Sequence, residues 1–267
     1  VTGVQTCALP IYYTLALRLA SEHLDQSDIP QGSGFASFTV SPAGTLKLSG
    51  RLADGTAVTQ ATFMGPNGQV GLFSALYDKK TSGSVLGRME IGLGSDLVQA
   101  RDNRLSGGLT WSKPALGGPT YGGGFDPVDL SIVGGAFPGT PLLLDVVPAI
   151  GNVRLRFSGG GLEESVTQPN LTFTIGLNNR VTIMPAENPG LATFKPQPSK
   201  GLFNGSFRLT DPHWEKPAPA MWPRQSTFQG IIVPTDGAHS GFGYFMLPAL
   251  PIANPKTQPP DILSGEV

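Results

Sequence analysis

Cysteine is nearly absent: Cys7 is the single one in 267 residues. An intrachain disulfide is thereby excluded, and so are thiolate metal cages and, from Tyr12 onward, a cysteine nucleophile. Charge is scarce as well, at 14% of residues with a net charge of -1, and no Lys/Arg cluster exceeds the pair Lys79-Lys80. The basic footprint that binds phosphate backbones is missing, which argues against a nucleic-acid partner. No apolar run reaches the roughly 18 residues of a membrane-crossing helix, so no membrane insertion is expected. Catalytic signatures are missing too: the sequence holds no GxSxG elbow, HExxH, GxxxxGK[ST], EF-hand loop or CxxC.

What is abundant is turn chemistry, with 36 Gly and 25 Pro beside a hydrophobic fraction of 39%. That balance supplies a core and favours short strands over helices that need charged outer faces. From Gly34 to Leu93 the chain reads as consecutive hairpins: FASFTV, TLKLSGRL, TAVTQATFM, QVGLFSALY and SVLGRMEIGL, separated by SPAG, ADG, GPNG and DKKTSG. In TLKLSGRL, Leu46, Leu48, Gly50 and Leu52 share one face, while Lys47, Ser49 and Arg51 share the other, the alternation of a half-buried antiparallel strand. LSGGLTW adds a further strand. A looser series follows, from VDLSIVGG through TPLLLDVV, NVRLRFSG, NLTFTIGL, GLFNGSFRL and STFQGIIV to SGFGYFML.

An internal duplication is expected between TLKLSGRLAD with TQATFMGPNGQVGLFSALY and GLFNGSFRLTD with STFQGIIVPTDGAHSGFGYFMLP, which sets Gly50 against Gly205 and Pro66 against Pro234. Glycines inside strands, Gly50, Gly71, Gly87, Gly205, Gly230 and Gly243, mark bulges or sharp coiling. The resulting fold class is all-β, with antiparallel meanders forming one or two β-barrels from two similar halves.

Residues 1–11, VTGVQTCALPI, fit no secretion signal and, with one permitted choice of codons, back-translate to a sequence resembling a common sequencing-library adapter. They are read as a non-native segment, and the chain as a fragment of a longer protein. The organisation expected for the rest is a first β half over 12–113, a Gly/Pro-rich linker over 114–126, a second β half over 127–250 and a Pro-rich tail over 251–267.

Candidate chemistry is sparse. His23, His213 and His239 are dispersed and read as surface histidines, and no metal or cofactor is expected. Asp25 with Asp28, Asp126 with Asp129, and Glu163 with Glu164 are the acidic pairs from which a glycan-active enzyme would need two carboxylates facing across a cleft, and adjacent Glu163-Glu164 after GGGL reads instead as a solvated turn. Asp25-Gln26-Ser27-Asp28 offers oxygens suited to calcium and likewise reads as a solvated loop. The most distinctive segment is DPHWEKPAPAMWPRQ, where Trp214 and Trp222 sit on a proline-stiffened loop. Such rings either stack on a sugar or anchor a partner, with His213 and Tyr121 as companions, or fold back as a lid over the core. Trp111 reads as core.

The run of FTVSPAGTLKLSGRLADGT, LFSALY, GSVLGRMEI, LTWSKP and GYFMLP resembles a β-rich module near the C-terminal end of large exported bacterial surface or secreted proteins of adhesin or immunoglobulin-like-repeat type. The resemblance covers most of residues 13–265, rests on turns and strand glycines, and carries no functional residue. It implies an extracellular or cell-surface setting, upstream domains in the same chain, and a surface glycan or protein as partner. The function expected is a non-enzymatic structural or adhesive module, with a carbohydrate-binding module as the alternative and a glycan-active enzyme behind it.

Overall fold

The structure, a computed structural model, describes residues 11–77, 83–92, 103–139, 150–165, 167–212, 221–235, 238–250 and 260–267, with the backbone alone at Glu164, Pro212, Met221, Trp222 and Ala238. It is all-β and antiparallel, and among the described residues no helix is long and apolar enough to cross a membrane.

The first sheet has eight strands: β1 (Ile11–Leu19), β2 (Gly34–Val40), β3 (Thr45–Arg51), β4 (Ala57–Phe63), β5 (Gln69–Ala75), β6 (Ser84–Ile91), β7 (Arg104–Lys113) and β8 (Phe125–Ala136). Their order, β4-β3-β2-β1-β8-β7-β6-β5, curls into a nearly closed barrel. Leu15, Leu17, Leu48, Leu72, Val85 and Leu109 fill its interior and leave a cavity of only ≈ 20 Å³, as a barrel of this strand number does when aliphatic side chains meet at its axis. The remaining seam lies between β4 and β5. There, among the described residues, the ladder is reduced to the bridge of Met64 with Val70, and the Gln60 side chain substitutes for a strand: Phe73 N donates to Gln60 Oε1 (2.9 Å) and Gln60 Nε2 donates to Gly71 O (3.4 Å).

The turn chemistry explains the hairpins. Gly44, Gly55 and Gly68 close the SPAG, ADG and GPNG turns at φ of +76°, +87° and +80°, a region that costs an L side chain energy. Two assignments differ from the sequence reading. First, β8 pairs with β1 and β7, so the barrel continues past the segment 114–126, which is the β7–β8 connection and not a boundary between halves. Gly122 and Gly124 turn the chain back there: Leu116 N and Gly117 N both donate to Gly122 O, and Gly124 sits at φ +72°. Second, the end of the Pro-rich tail is a strand that joins the second sheet.

That second sheet runs β10-β17-β16-β15-β14-β13, from β10 (Ser158–Gly159), β13 (Thr193–Gln197), β14 (Leu202–Pro212), β15 (Met221–Thr235), β16 (Ala238–Pro248) and β17 (Ile262–Glu266). A small sheet of β9 (Val153–Leu155), β11 (Leu171–Ile175) and β12 (Val181–Thr182) covers it. Between them lies a phenylalanine core in which the Phe157 ring stands 4.8, 5.1 and 5.8 Å from Phe207, Phe228 and Phe245.

β15 joins the two units through its pleat. Ile231 and Val233 point into the barrel-side core, whereas Phe228 and Ile232 point into the phenylalanine core. The same contact buries β1 on both faces, so that Thr14, Leu15 and Ala16 are all fully enclosed. The expected duplication meets a topological difference: β15 and β16 form a continuous ladder from Phe228–Phe245 to Thr235–Ala238, whereas β4 and β5, set against them by sequence, face each other across the barrel's seam.

Candidate functional site

Polar chemistry concentrates outside the barrel, around the segment from Ala20 to Gln31. β1 ends opposite Leu130 of β8, and Ala20 N extends that ladder by donating to Asp129 O (2.9 Å). The chain then folds into the 3-10 turn Ser21–His23, closed by His23 N donating to Ala20 O (3.0 Å). Gln31 ties the loop together from inside: its Nε2 donates to the carbonyls of His23 (3.1 Å), Gln26 (2.8 Å) and Ile29 (3.3 Å), while its Oε1 accepts from Asp25 N (2.7 Å). Asp25 takes a left-handed conformation (φ +60°) to make this turn.

Two grooves flank the loop. The larger, ≈ 590 Å³, is polar and lined by His23, Gln26, Asp28, Lys113, Phe125 and Asp126. The other, ≈ 340 Å³, lies between Asp25, Gln26, Tyr121, Gly160, Glu163 and Ser264. Its glycine wall, Gly159 to Gly161, has three consecutive positive φ angles of +69°, +62° and +72°. Successive amides in that geometry form an anion cradle, but the chain occupies it itself: Gly159 N donates to Glu163 Oε1 (2.7 Å). Glu163 is thus a local loop cap, and the side chain of Glu164 is outside the described residues.

Of the residues singled out by sequence, Tyr121 lies in the smaller groove, half-buried at φ +47°, edge-on to Phe125 with ring centroids 6.3 Å apart. Its hydroxyl oxygen accepts from Ser264 N (2.7 Å), and burial pushes its pKa up to about 12. His213 and Trp214 lie outside the described residues, as does the Trp222 side chain; the Trp222 backbone pairs with Asp211 in the β14–β15 ladder. The strands that carry that loop are pinned by a buried ion pair, Arg224 Nε to Asp211 Oδ2 at 2.5 Å, with Arg224 Nη1 donating to Pro248 O (2.7 Å). His239 packs edge-on to Phe137, and burial lowers its pKa. Trp111 is core, as expected.

The structure also makes a grouping that sequence reasoning missed. Glu22, His23 and Asp129 each bring one ligand atom to within 4.8 Å of the others. Asp129 was paired by sequence with Asp126, its neighbour in the chain, but its carboxylate instead accepts from Thr110 Oγ1 (3.0 Å) on β7. The signal that could have found the grouping was β1 itself: reading YYTLALRL as a strand places Ser21–His23 at the end of the barrel. No protein-family model, curated protein or solved structure matches the chain.

Proposed function

We propose that the chain is a non-catalytic structural or adhesive module of an exported bacterial protein, in which two joined β units hold loops in fixed relation for contact with a surface partner. The observation that carries this reading is the division of labour in the barrel: its axis is closed by aliphatic side chains, with a cavity of only ≈ 20 Å³, while the grooves lie on the outside, the larger among loops of the barrel and the smaller where loops of both units meet. A ligand of any size must therefore be met at the surface. β15 supports the same reading, because a strand that serves both cores prevents the units from moving independently.

A carbohydrate ligand is the second reading, favoured by the smaller groove. Asp25, Gln26, Tyr121 and Glu163 give it the mixture of carboxylate, amide and aromatic groups that hydroxyl-rich ligands use, in a volume of ≈ 340 Å³. The test is an array of glycans and matrix proteins read for both retention and product release. Retention without release, lost on Tyr121→Phe or Trp214→Ala and Trp222→Ala in folded variants, supports a binding module. Release of product that disappears in Asp126→Asn would overturn it in favour of an enzyme.

A further inference from the structure

Three side chains from two distant parts of the sequence converge where β1 ends. Glu22 and His23 are held over Asp129 by backbone bonds that need no ligand: Ala20 N to Asp129 O, His23 N to Ala20 O, and the side-chain amides of Gln26 and Gln31, whose Nε2 atoms donate to Glu22 O (2.8 Å) and His23 O (3.1 Å). Asp129 is fixed from the opposite side by Thr110, its Cα partner on β7, whose hydroxyl donates to Oδ1 at 3.0 Å and leaves Oδ2 free of that bond. One oxygen of the Glu22 carboxylate, Oε2, accepts from the hydroxyl of Ser21 at 3.4 Å. One imidazole nitrogen and two carboxylate oxygens thus lie within 4.8 Å of one another on anchored backbone, with Glu22 and Asp129 exposed and His23 half-buried. Ligand atoms around a tetrahedral divalent ion with bonds of about 2.1 Å stand about 3.4 Å apart, so binding requires the three side chains to draw together by rotamer adjustment from the separations of up to 4.8 Å seen without metal.

We propose that Glu22, His23 and Asp129 bind a divalent transition-metal ion. The donor set selects the class. An imidazole beside two carboxylates suits Zn²⁺, Co²⁺ or Mn²⁺, whereas Ca²⁺ and Mg²⁺ take all-oxygen shells. Three protein ligands leave at least one coordination position to water or to an incoming group. His23 also lines the ≈ 590 Å³ groove, so that position adjoins the space in which a partner's carboxylate or hydroxyl would complete the shell. The inference is independent of the adhesive reading, since a metal here can equally stiffen the loop between β1 and β2.

The experiment is titration of the full, untagged chain with Co²⁺, followed by its visible ligand-field absorption and by isothermal calorimetry, on the parent and on His23→Gln, Asp129→Asn and His239→Gln. Asp129→Asn keeps an oxygen acceptor for Thr110, and circular dichroism with thermal melting checks that each variant is folded. The expected result is one equivalent bound by the parent and by His239→Gln, with affinity at least tenfold weaker in His23→Gln and in Asp129→Asn at unchanged melting temperature without metal. Absence of binding at millimolar Co²⁺ would overturn the proposal, as would binding that persists undiminished in His23→Gln, which would place the ion elsewhere in the chain.

Discussion

The ammonium of Lys113 stands 3.2 Å from Asp54 Oδ2, with the two side chains 8% and 1% exposed, and this pair ties the end of β7 to the turn between β3 and β4. Each charge is satisfied further. Asp54 accepts from Tyr77 OH (2.9 Å) and Thr56 N (2.9 Å), and Lys113 Nζ donates to Thr120 O (2.9 Å) and lies 4.9 Å from the Tyr77 ring centroid. Trp111 Nε1 closes the network by donating to Tyr77 OH (3.1 Å). The neighbouring Ala53 carbonyl accepts from Ser264 Oγ (2.6 Å) of β17, so the network sits against the joint between the two units.

Neutralising one partner strands the other charge in a buried site. Asp54→Asn leaves the Lys113 ammonium without its counter-ion, and the expected loss of stability is about 3–5 kcal/mol. Urea unfolding of parent and variant at neutral pH measures it. A loss under about 1 kcal/mol would mean that solvent reaches the pair as it does at a protein surface.

Alkaline pH tests the same joint. Burial raises the pKa of Tyr121 and of Tyr244 to about 12, and raises Tyr77 further with the help of the Asp54 charge. The unfolded chain releases these protons near pH 10. The stability they contribute is therefore complete below pH 10 and is lost as the pH rises toward 12. Tyrosinate absorbance and near-ultraviolet circular dichroism should change together in that window. Ionisation of these phenols at pH 10 without loss of tertiary signal would show them to be solvated.

Much of the barrel was legible because its hairpins are written in local chemistry. The strands expected from FASFTV, TLKLSGRL, TAVTQATFM, QVGLFSALY and SVLGRMEIGL are β2 to β6 to within about two residues, and the glycine turns between the first four sit at positive φ. β1 is written more faintly: it is buried on both faces, so Thr14, Leu15 and Ala16 show no alternation, only the largely apolar run YYTLALRL marks it, and its start adjoins the segment set aside as non-native. The metal-type grouping was hidden for the same reason. His23 and Asp129 are brought together only by the pairing of β1 with β8. Gly122 to Gly124 looked like the end of a domain because a glycine-rich connection within a sheet and one between sheets have the same composition.

Strand glycines separate into those that another backbone crowds and those that nothing touches. At Gly50 a Cβ would lie 2.1 Å from Phe35 O and 2.5 Å from Ala36 Cβ, and at Gly205 it would lie 2.0 Å from Thr193 O. At Gly71 it would meet nothing within 4 Å. Gly50→Ala and Gly205→Ala are each expected to cost about 1–3 kcal/mol through overpacking. Gly71→Ala should be neutral or stabilising by up to about 1 kcal/mol, because it removes freedom from the unfolded chain alone. Melting temperatures of the three variants decide the matter, and equal losses at Gly50 and Gly71 would refute the crowding argument.

The barrel's seam depends on Gln60. Its side chain supplies both an acceptor for Phe73 N and a donor for Gly71 O, and Thr62 Oγ1 adds a second bond to that carbonyl (3.3 Å). Without it the facing edges of β4 and β5 present unpaired backbone groups beside the exposed side chains of Phe63 and Phe73. Gln60→Met keeps the length and volume of the side chain and removes both bonds. Each is worth about 0.5–1.5 kcal/mol net, so hydrogen exchange at the Phe73 amide should accelerate by roughly tenfold. The Val58 amide, laddered to Gly50 at the far side of β4, should change only by the global loss of stability. The opened edge also invites pairing with a second chain, so the variant should self-associate at concentrations where the parent does not, as analytical ultracentrifugation would reveal. If Phe73 and Val58 slow or quicken in step, Gln60 stabilises the barrel as a whole and the seam is closed by something else.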